Sequence, residues 1–304
     1  MENVKQLKKI DIHAHATMFP NYSPSNAKGE RFISAEELIG EYDNLGIDTG
    51  VLLPLVAAEG MLTTIPTEVC KAIADKYPDR FVWFCSVDPR ASGNRVDADL
   101  ARSLAWYQSL GAKGCGEITA QLYADDPKLD NLFSACEELD MPALIHIGPI
   151  LGRSYGIVDE IGLPRIESVL KKHPKLKLIG HSQCFWAEIT ADVTMQTRTS
   201  YPSGKVTEGR IAKMMRDYEN LYCDLSAGSG SAAFMRDPEY TAKFVAEFPT
   251  RIMYGIDQCF VGNNDHAFAL NKFMDKMLDD GMFSPEHYAN IARYNTANLL
   301  GLEK

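Results

Sequence analysis

Short apolar runs alternate with longer amphipathic stretches along the whole chain, and this alternation restricts the possible folds more than any other feature. Strands that alternate with helices are typical of repeated βα units that build a parallel sheet. The run at 51–55, Val-Leu-Leu-Pro-Leu, is apolar at consecutive positions, as a strand with both faces covered requires. Eight strands are predicted, at residues 7–13, 47–55, 80–87, 111–118, 141–147, 175–181, 220–225 and 251–256.

The stretches between these runs have the periodicity of amphipathic helices. Ser34 followed by Glu37 marks the start of one of them as a capping box. The eight predicted strands, each followed by a predicted helix, indicate an α/β fold. We predict a (β/α)8 TIM barrel that spans residues 1–304 as one domain. An open doubly wound sheet is the alternative, although no Gly-x-Gly-x-x-Gly turn follows a strand. Helices are predicted at residues 34–45, 67–77, 96–110, 127–139, 163–172, 205–217, 238–248 and 265–278.

Charge and composition restrict the possible partners. The 41 acidic and 31 basic residues give a net charge of −10, which disfavours non-specific binding to nucleic acid. No apolar stretch approaches the roughly 18 residues needed to cross a bilayer, and the first residues do not resemble a signal peptide. The seven cysteines form no Cys-x-x-Cys pair, so reduced, buried thiols are expected. We therefore expect a cytoplasmic protein that acts on a small molecule and binds neither nucleic acid nor membrane.

Two of the predicted connections are unusually long for a barrel. They are the loops after strand 1, at 16–33, and after strand 6, at 182–204. Long ordered loops at this end of a barrel commonly serve as lids, substrate walls or subunit contacts. A homo-oligomer that uses the second loop is therefore an expectation.

Histidines and carboxylates lie at the ends of five of the predicted strands. His13 and His15 are two residues apart, so both side chains point to the same face of the first strand. The carboxyl ends of the strands form the active site of such a barrel. Imidazole and carboxylate are suitable ligands for zinc and similar divalent metals. The chain therefore predicts one metal site, built from His13, His15, Glu117, His146, His181 and Asp257.

Each of these residues, taken alone, also has a structural explanation. His146 and His181 lie in strands whose other residues are apolar, where a single histidine is commonly a hydrogen-bonded core residue. Asp257 is also a candidate N-cap for the following helix. Glu117 is a candidate ligand of a second metal, a general acid or base, or a partner of a histidine. Because four of the seven histidines lie at strand ends, the shared site is favoured over these separate explanations.

The other polar residues near these motifs have weaker assignments. Asp11 shares a face with His13 and is expected to orient that histidine from outside the metal site. His173 is expected at a solvated helix end. His266 and His287 are expected on the surface or at helix starts, and His266 is close enough to the last strand to reach a substrate.

Three features together resemble the metal-dependent amidohydrolase superfamily: 10–15 (Ile-Asp-Ile-His-Ala-His), the strand-end His146 and His181, and 254–257 (Tyr-Gly-Ile-Asp). They most resemble the branch that includes aminocarboxymuconate-semialdehyde decarboxylase and related aromatic-acid decarboxylases, and the segment 291–302 resembles the usual C-terminal helix of that branch. The resemblance runs essentially the length of the chain and implies the barrel fold. The residues that it assigns to one divalent ion, usually zinc, are His13, His15, His146 and Asp257.

The same resemblance leaves the number of metal ions open. It implies that His181 either contacts water on the first ion or joins a second one. Glu117 stands where many relatives have a carboxylated lysine or no ligand, and a glutamate there resembles two-metal relatives such as the TatD-like hydrolases. The segment 255–257, Gly-Ile-Asp, keeps the acid of the branch but lacks its usual serine. We therefore expect one or two divalent ions.

A divalent metal at this site predicts an enzyme that uses metal-activated water to hydrolyse a small carbonyl compound, namely an amide, lactone or ester. Asp257 is the predicted group that moves the proton, and His181 is predicted to polarise the carbonyl. Arg153, after strand 5, is a candidate to bind an anionic substrate group, with a solvated loop arginine as the alternative. Trp186, after strand 6, is a candidate apolar wall, with burial as a packing residue as the alternative.

Three other functions remain open at this point. The first uses the same metal for non-oxidative decarboxylation of an aromatic or muconate-type acid. A TatD-like nuclease is disfavoured by the acidic charge balance. A non-catalytic barrel is disfavoured by the intact set of metal ligands. The motifs identify the superfamily and do not select between hydrolase and decarboxylase.

Overall fold

The computed structural model describes residues 4–59, 63–152, 155–201, 203–262 and 264–302. Within these ranges it contains nine strands, and eight of them lie at predicted positions. The two-residue strand β6 is missing from the sequence prediction, because two residues carry no periodic pattern. The strands are β1 (Lys9–Ala14), β2 (Ile47–Leu52), β3 (Phe81–Trp83), β4 (Cys115–Ile118), β5 (Ala143–Gly148), β6 (Ile157–Val158), β7 (Leu178–His181), β8 (Leu221–Asp224) and β9 (Ile252–Met253).

Helices occupy the connections between the strands, as predicted. Both long loops are present, after β1 and after β7, and the second contains the short helix α7. Single turns of other helix types lie at Val4–Gln6, Ala187–Ile189 and Asn290–Tyr294. The α-helices are α1 (Ala35–Leu45), α2 (Thr67–Lys76), α3 (Ala91–Asn94), α4 (Leu100–Ser109), α5 (Pro127–Glu138), α6 (Pro164–Lys172), α7 (Gln183–Trp186), α8 (Arg210–Asp217), α9 (Ala227–Met235), α10 (Pro238–Glu247), α11 (Asp265–Asp279), α12 (Pro285–Ala289) and α13 (Asn295–Leu300).

Parallel pairing arranges the strands in two ladders, β1-β2-β3 and β4-β5-β7-β8-β9, with β6 paired to β5 outside this order. Isolated parallel bridges join the ladders at both seams: Cys85 pairs with Cys115, and Ala14 pairs with Gln258. Backbone hydrogen bonds cross both seams. The eight main strands therefore follow the order of a (β/α)8 barrel, and the fold prediction is confirmed.

A small apolar cluster fills the space inside the ring of strands. It is separate from the larger core that lies between the strands and the helices. His146 and His181 lie two residues beyond the cluster members Leu144 and Ile179, so they face the same interior, one layer nearer the carboxyl ends. The buried members of the inner cluster are Ile12, Val51, Leu53, Phe84, Leu144, Ile179, Met253 and Leu300.

Local chemistry accounts for the observed boundaries of several elements. Strand β2 stops before Pro54, because proline has no N–H to donate to a ladder. Helix α4 begins after Asp99, whose carboxylate accepts a backbone N–H of the first turn. The predicted capping box of Ser34 and Glu37 is present at the start of α1.

Two further observations concern the cysteines and the lengths of the helices. All seven cysteines are free, and six of them are buried. Within the described part of the chain, no helix combines the length and the hydropathy that a membrane span needs.

Candidate metal centre

The six predicted ligands converge at the carboxyl ends of the strands. They form overlapping triads in which the possible ligand atoms all lie within 4.8 Å of one another. One triad also includes Cys259, which the sequence did not single out. The predicted residues that the structure brings together are His13, His15, Glu117, His146, His181 and Asp257.

His13 and His15 direct their Nε2 atoms at each other across a distance of 3.0 Å. The Nδ1–H of His15 donates to the Leu53 carbonyl at 2.9 Å, and the Nδ1–H of His13 donates to the Asp224 carboxylate at 2.7 Å. Because Nδ1 carries the hydrogen in both rings, Nε2 is the bare nitrogen of each neutral side chain. Two bare nitrogens at this distance repel each other unless a cation, either a metal ion or a proton, lies between them.

Buried carboxylates give this site a negative environment. Burial lowers the pKa of His13, but Asp257 and Asp224 raise it by more, so it lies well above the ordinary histidine value. Burial raises the pKa of Asp224, yet His13 and His181 hold it below its ordinary range. Both shifts favour positive charge at the cluster, and the same field favours a divalent cation.

His181 is held in the same way as His13. Its Nδ1 lies 3.1 Å from Asp224 Oδ2 and 3.0 Å from Ser226 Oγ. The Ser226 hydroxyl donates to the same carboxylate oxygen at 2.7 Å. These contacts place the hydrogen on Nδ1 and leave Nε2 facing the cluster, 3.5 Å from Asp257 Oδ2.

Glu117, on β4, faces two different pairs of histidines with its two oxygens. Oε1 accepts a hydrogen bond from His146 Nδ1 at 2.7 Å and lies 4.0 Å from His181 Nε2. Oε2 lies 3.5 Å from His15 Nε2 and 3.8 Å from His13 Nε2. Burial raises the pKa of Glu117, but His146 and the other imidazoles hold it well below its ordinary range. Glu117 therefore presents one carboxylate oxygen to each pair of histidines.

Asp257 lies on the open side of the cluster. Its Oδ1 is 3.5 Å from the Nε2 atoms of both His13 and His15, and 18% of its side chain is exposed, against 0% for His13. Its φ of +49° lies in the left-handed region, which Asp and Asn adopt more readily than most residues. The alternative role as an N-cap does not apply, because the next helix begins only at Asp265.

Asp11 acts on the backbone near His13 and not on its ring. Its Oδ1 accepts the N–H groups of His13 and Ile256, both at 2.9 Å, and its Oδ2 accepts the Tyr42 hydroxyl at 2.6 Å. The pairing of β1 is irregular after Asp11, so the carboxylate replaces a ladder partner there. Burial raises the pKa of Asp11 to about 7. Asp11 therefore positions His13 only through the main chain.

Besides Cys259, the sequence prediction missed Asp224 and Ser226, which hold two of the histidines in place. Asp224 is fully buried at the end of β8 and accepts hydrogen bonds from two of the histidines. It lies at the carboxyl end of a predicted strand, the same position that indicated the other acids, so this signal was available. Ser226 carries no comparable signal, because serine is common wherever a strand gives way to a helix.

Asp224→Asn is expected to weaken the binding of a divalent metal about 10- to 100-fold, because the amide loses the charge that orients His13 and His181. Calorimetric titration of chelator-treated protein with manganese measures the affinity. Asp217→Asn, an exposed residue at the end of α8, is the matched control. Equal affinities for the Asp224 variant and the unmodified protein would contradict this role.

A cavity of about 400 Å³ opens above the cluster, a volume typical of pockets for small organic ligands. The ring of Tyr155 packs against His146, with 4.4 Å between the ring centroids. Tyr201 and Phe260 add aromatic surface to the lining. The lining also contains four residues of the cluster and two at the start of α11: His15, Glu117, Asp257 and Cys259, and Asp265 and His266.

The two predicted substrate-binding residues have different outcomes. Arg153 lies outside the described residues. Trp186 is buried, its ring packs against Phe234 with 5.6 Å between centroids, and its Nε1–H donates to the Asp224 carbonyl at 2.8 Å. It is absent from the described lining of the cavity. The structure therefore gives Trp186 the packing role, because its ring is enclosed beneath the helices.

His173, expected at a solvated helix end, is buried instead. Its Nε2 lies 3.0 Å from Asp130 and its Nδ1 lies 3.3 Å from Glu137, both on α5. The expectation for His173 is therefore wrong, because packing of α5 against the end of α6 covers the ring. His266 lines the cavity, as its position after the last strand allowed.

Solved structures with this fold include enzymes that act on small acids, whereas a search of curated proteins found no match. The chain is similar to 2,6-dihydroxybenzoate decarboxylase from Rhizobium, with 17% identity, coverage of 97% of this chain and 98% of that chain, and a TM-score of 0.62. It is also similar to 5-carboxyvanillate decarboxylase from Novosphingobium aromaticivorans complexed with manganese, with 18% identity, coverage of 98% of this chain and 97% of that chain, and a TM-score of 0.63. A third similar structure is a probable 2-pyrone-4,6-dicarboxylic acid hydrolase from Acinetobacter baumannii, with 12% identity, coverage of 97% of this chain and 100% of that chain, and a TM-score of 0.58. At these identities the likeness shows the fold alone.

The family comparison covers nearly the whole chain. The amidohydrolase family matches residues 10–302, a range that contains all six predicted ligands and the cavity above them. The family and the observed cluster of histidines and carboxylates together support a divalent-metal site. The chain therefore belongs to the amidohydrolase family.

Proposed function

We propose that the protein is a metal-dependent decarboxylase that releases carbon dioxide from a small aromatic or muconate-type acid without an oxidant. The observation that carries this proposal is the cluster of four imidazoles and two carboxylates beneath an aromatic-lined cavity. Two of the similar structures are named as decarboxylases of aromatic acids. Decarboxylation, the alternative from the sequence, is therefore placed ahead of hydrolysis.

The donor set of this cluster fits one or two divalent ions. We favour two ions, because the two oxygens of Glu117 face different pairs of histidines. Zinc and manganese both suit a mixture of imidazole and carboxylate, and manganese is named in one of the similar structures. The residues that would hold one ion are His13, His15 and Asp257, and those that would hold the other are His146 and His181. Glu117 lies between the two pairs of histidines.

Metal content tests the number of ions. Protein reconstituted with manganese and freed of excess metal is expected to hold two ions per chain. Glu117→Gln, which keeps the size of the side chain and removes its charge, is expected to hold one. Elemental analysis gives the count, and electron paramagnetic resonance detects coupling between neighbouring manganese ions. A single ion in both proteins would contradict the two-ion site.

Decarboxylation breaks the bond between a substrate carbon and its carboxyl carbon, leaves the electron pair on that substrate carbon and requires a proton there. A bound divalent ion supplies a Lewis acid that polarises substrate oxygens. Asp257 lies on the open side of the cluster, where its carboxyl group is placed to deliver the proton to the substrate carbon. Asp257 can take that proton back from solvent, because 18% of its side chain is exposed.

Hydrolysis is the second candidate, and Glu117 is the residue that favours it. A glutamate at this position resembles superfamily relatives with two metals, and one similar structure is named a probable hydrolase of a pyrone dicarboxylic acid. In a hydrolase, Asp257 would accept a proton from water and return it to the leaving group.

Isotopes in the organic product separate the two reactions. Manganese-loaded protein is incubated in water enriched in oxygen-18 and deuterium with 2,6-dihydroxybenzoate, 5-carboxyvanillate or 2-pyrone-4,6-dicarboxylate. Decarboxylation is expected to release carbon dioxide and to place deuterium, but no oxygen-18, at the former carboxyl position. Chelator-treated protein is the control. An organic product that contains oxygen-18, with no carbon dioxide released, would overturn the decarboxylase proposal in favour of hydrolysis.

A further inference from the structure

Asp265 and His266 line the cavity but do not belong to the cluster of possible metal ligands. Both lie at the start of α11, on the connection that follows β9. The Asp265 carboxylate forms no hydrogen bond or ion pair with any residue that the structure describes. It is therefore a charged acceptor at the cavity that has no described partner.

His266 presents one defined nitrogen to its surroundings. Its Nε2 lies at hydrogen-bond distance from the Ile256 carbonyl oxygen. Because a carbonyl only accepts, Nε2 carries the hydrogen, and the neutral ring leaves Nδ1 as a bare acceptor. Nδ1 has no partner within the described ranges of the chain. The pair thus offers acceptor atoms only.

Two tyrosines supply hydroxyl donors to the lining. The ring of Tyr155 packs against His146 of β5, and the ring of Tyr201 lies against Gly228 of α9. Neither hydroxyl has a partner among the described residues. Strand β5 is three places from β9 in the ladder, so Tyr155 and α11 begin from well-separated parts of the barrel rim. The described lining contains no lysine or arginine that would neutralise Asp265.

We infer that Asp265 and His266 form a surface of hydrogen-bond acceptors, the acceptor wall, on one side of the cavity. This wall selects substrates by the substituent that they carry at the end away from the reacting carboxylate. A hydroxyl or amino group there donates to a charged acceptor, which is among the stronger hydrogen bonds in proteins. A second carboxylate there meets the like charge of Asp265 and finds no described cation. The inference rests on the proposed function, in which the reacting carboxylate is held at the metal cluster. It narrows the substrate to a hydroxy- or amino-substituted monocarboxylic acid and excludes dicarboxylic acids such as muconates.

Binding of ring-matched acids to the manganese-loaded protein tests the acceptor wall. The probes are benzoate, 3- and 4-hydroxybenzoate, isophthalate and terephthalate, which differ only in one substituent. At least one hydroxybenzoate is expected to bind about tenfold more tightly than benzoate, and both dicarboxylates more weakly than benzoate. Isothermal titration calorimetry measures each dissociation constant.

Asp265→Asn keeps the shape of the wall and removes its charge. It is expected to reduce the preference for the hydroxyl group to about threefold, since a neutral acceptor forms a weaker hydrogen bond. It is also expected to let the dicarboxylates bind about as well as benzoate. Asp265 is exposed, so the variant is expected to fold, and thermal unfolding checks this. Asp217→Asn makes the same charge change at the opposite end of the barrel. This control variant should rank the five acids by affinity in the same order as the unmodified protein does.

The outcomes separate this inference from the proposed function. The acceptor wall is overturned if a dicarboxylate binds as tightly as the hydroxybenzoates, if Asp265→Asn keeps the full preference, or if none of the five acids binds. Carbon dioxide release from the hydroxybenzoates is measured separately. A further outcome is that the preference is present and depends on Asp265 while neither the hydroxybenzoates nor the three acids of the isotope experiment release carbon dioxide. In that case the decarboxylase proposal fails and the acceptor wall stands.

Discussion

Asp257→Asn is expected to lower turnover by at least about 100-fold, because an amide can neither hold nor release the proton that the reaction moves. The substitution is well suited to the position. Asn tolerates a φ of +49° as readily as Asp, and the backbone N–H still donates to the His13 carbonyl. The loss should therefore come from the missing carboxylate and not from misfolding.

The rate constant kcat and KM of this variant are measured with the acid that releases the most carbon dioxide. Asp257 is also a candidate ligand, so the assay contains excess manganese and the bound metal is determined on the same sample. Asp217→Asn again serves as the control for a distant loss of charge. If the Asp257 variant binds metal fully and its turnover stays within about threefold of the unmodified protein, the proton-transfer role is refuted.

The direction of the strand-end histidines could be predicted because it depends on local geometry. His13 and His15 lie two residues apart, so parity predicted that both side chains point to the same face of β1. Glu117, His146, His181 and Asp257 were predicted from their positions at the carboxyl ends of strands, where the active site of such a barrel lies. These residues meet because the barrel is a regular structure, and the sequence pattern was sufficient to predict that regularity.

The pairing between ligands and their supporting groups could not be predicted in the same way. Asp224 orients His13 across 211 positions of sequence, so the contact exists only once β8 and β1 occupy the same ring. His173 and Trp186 show the same limit in the helical layer. Their burial is set by the packing of helices on one another, which single-helix periodicity does not specify.

Removing the metal with a chelator is expected to abolish turnover and to lower the free energy of unfolding. The loss is about 4 kcal/mol relative to protein with free metal at about 1,000 times its Kd, because the ion binds the folded state and not the unfolded chain. The ligands come from five strands that are far apart in sequence, so no comparable site exists before folding. Urea unfolding of chelated and manganese-reloaded protein measures the difference, and reloading should restore both turnover and stability.

This metal-dependent stabilisation is expected to grow as the pH rises from about 6 to about 8. Metal ligation needs neutral imidazoles, so protons compete with the ion at low pH. Burial lowers the pKa of His13, but Asp257 and Asp224 raise it by more, so in the metal-free fold it exceeds the unfolded value of about 6.5. The protonated ring therefore stabilises the metal-free fold fully below that unfolded value, and this contribution is lost as the pH rises through the folded pKa. Rising pH thus weakens the metal-free fold and strengthens metal binding. The metal assignment would be contradicted if the difference in free energy of unfolding between metal-loaded and metal-free protein became smaller as the pH rises.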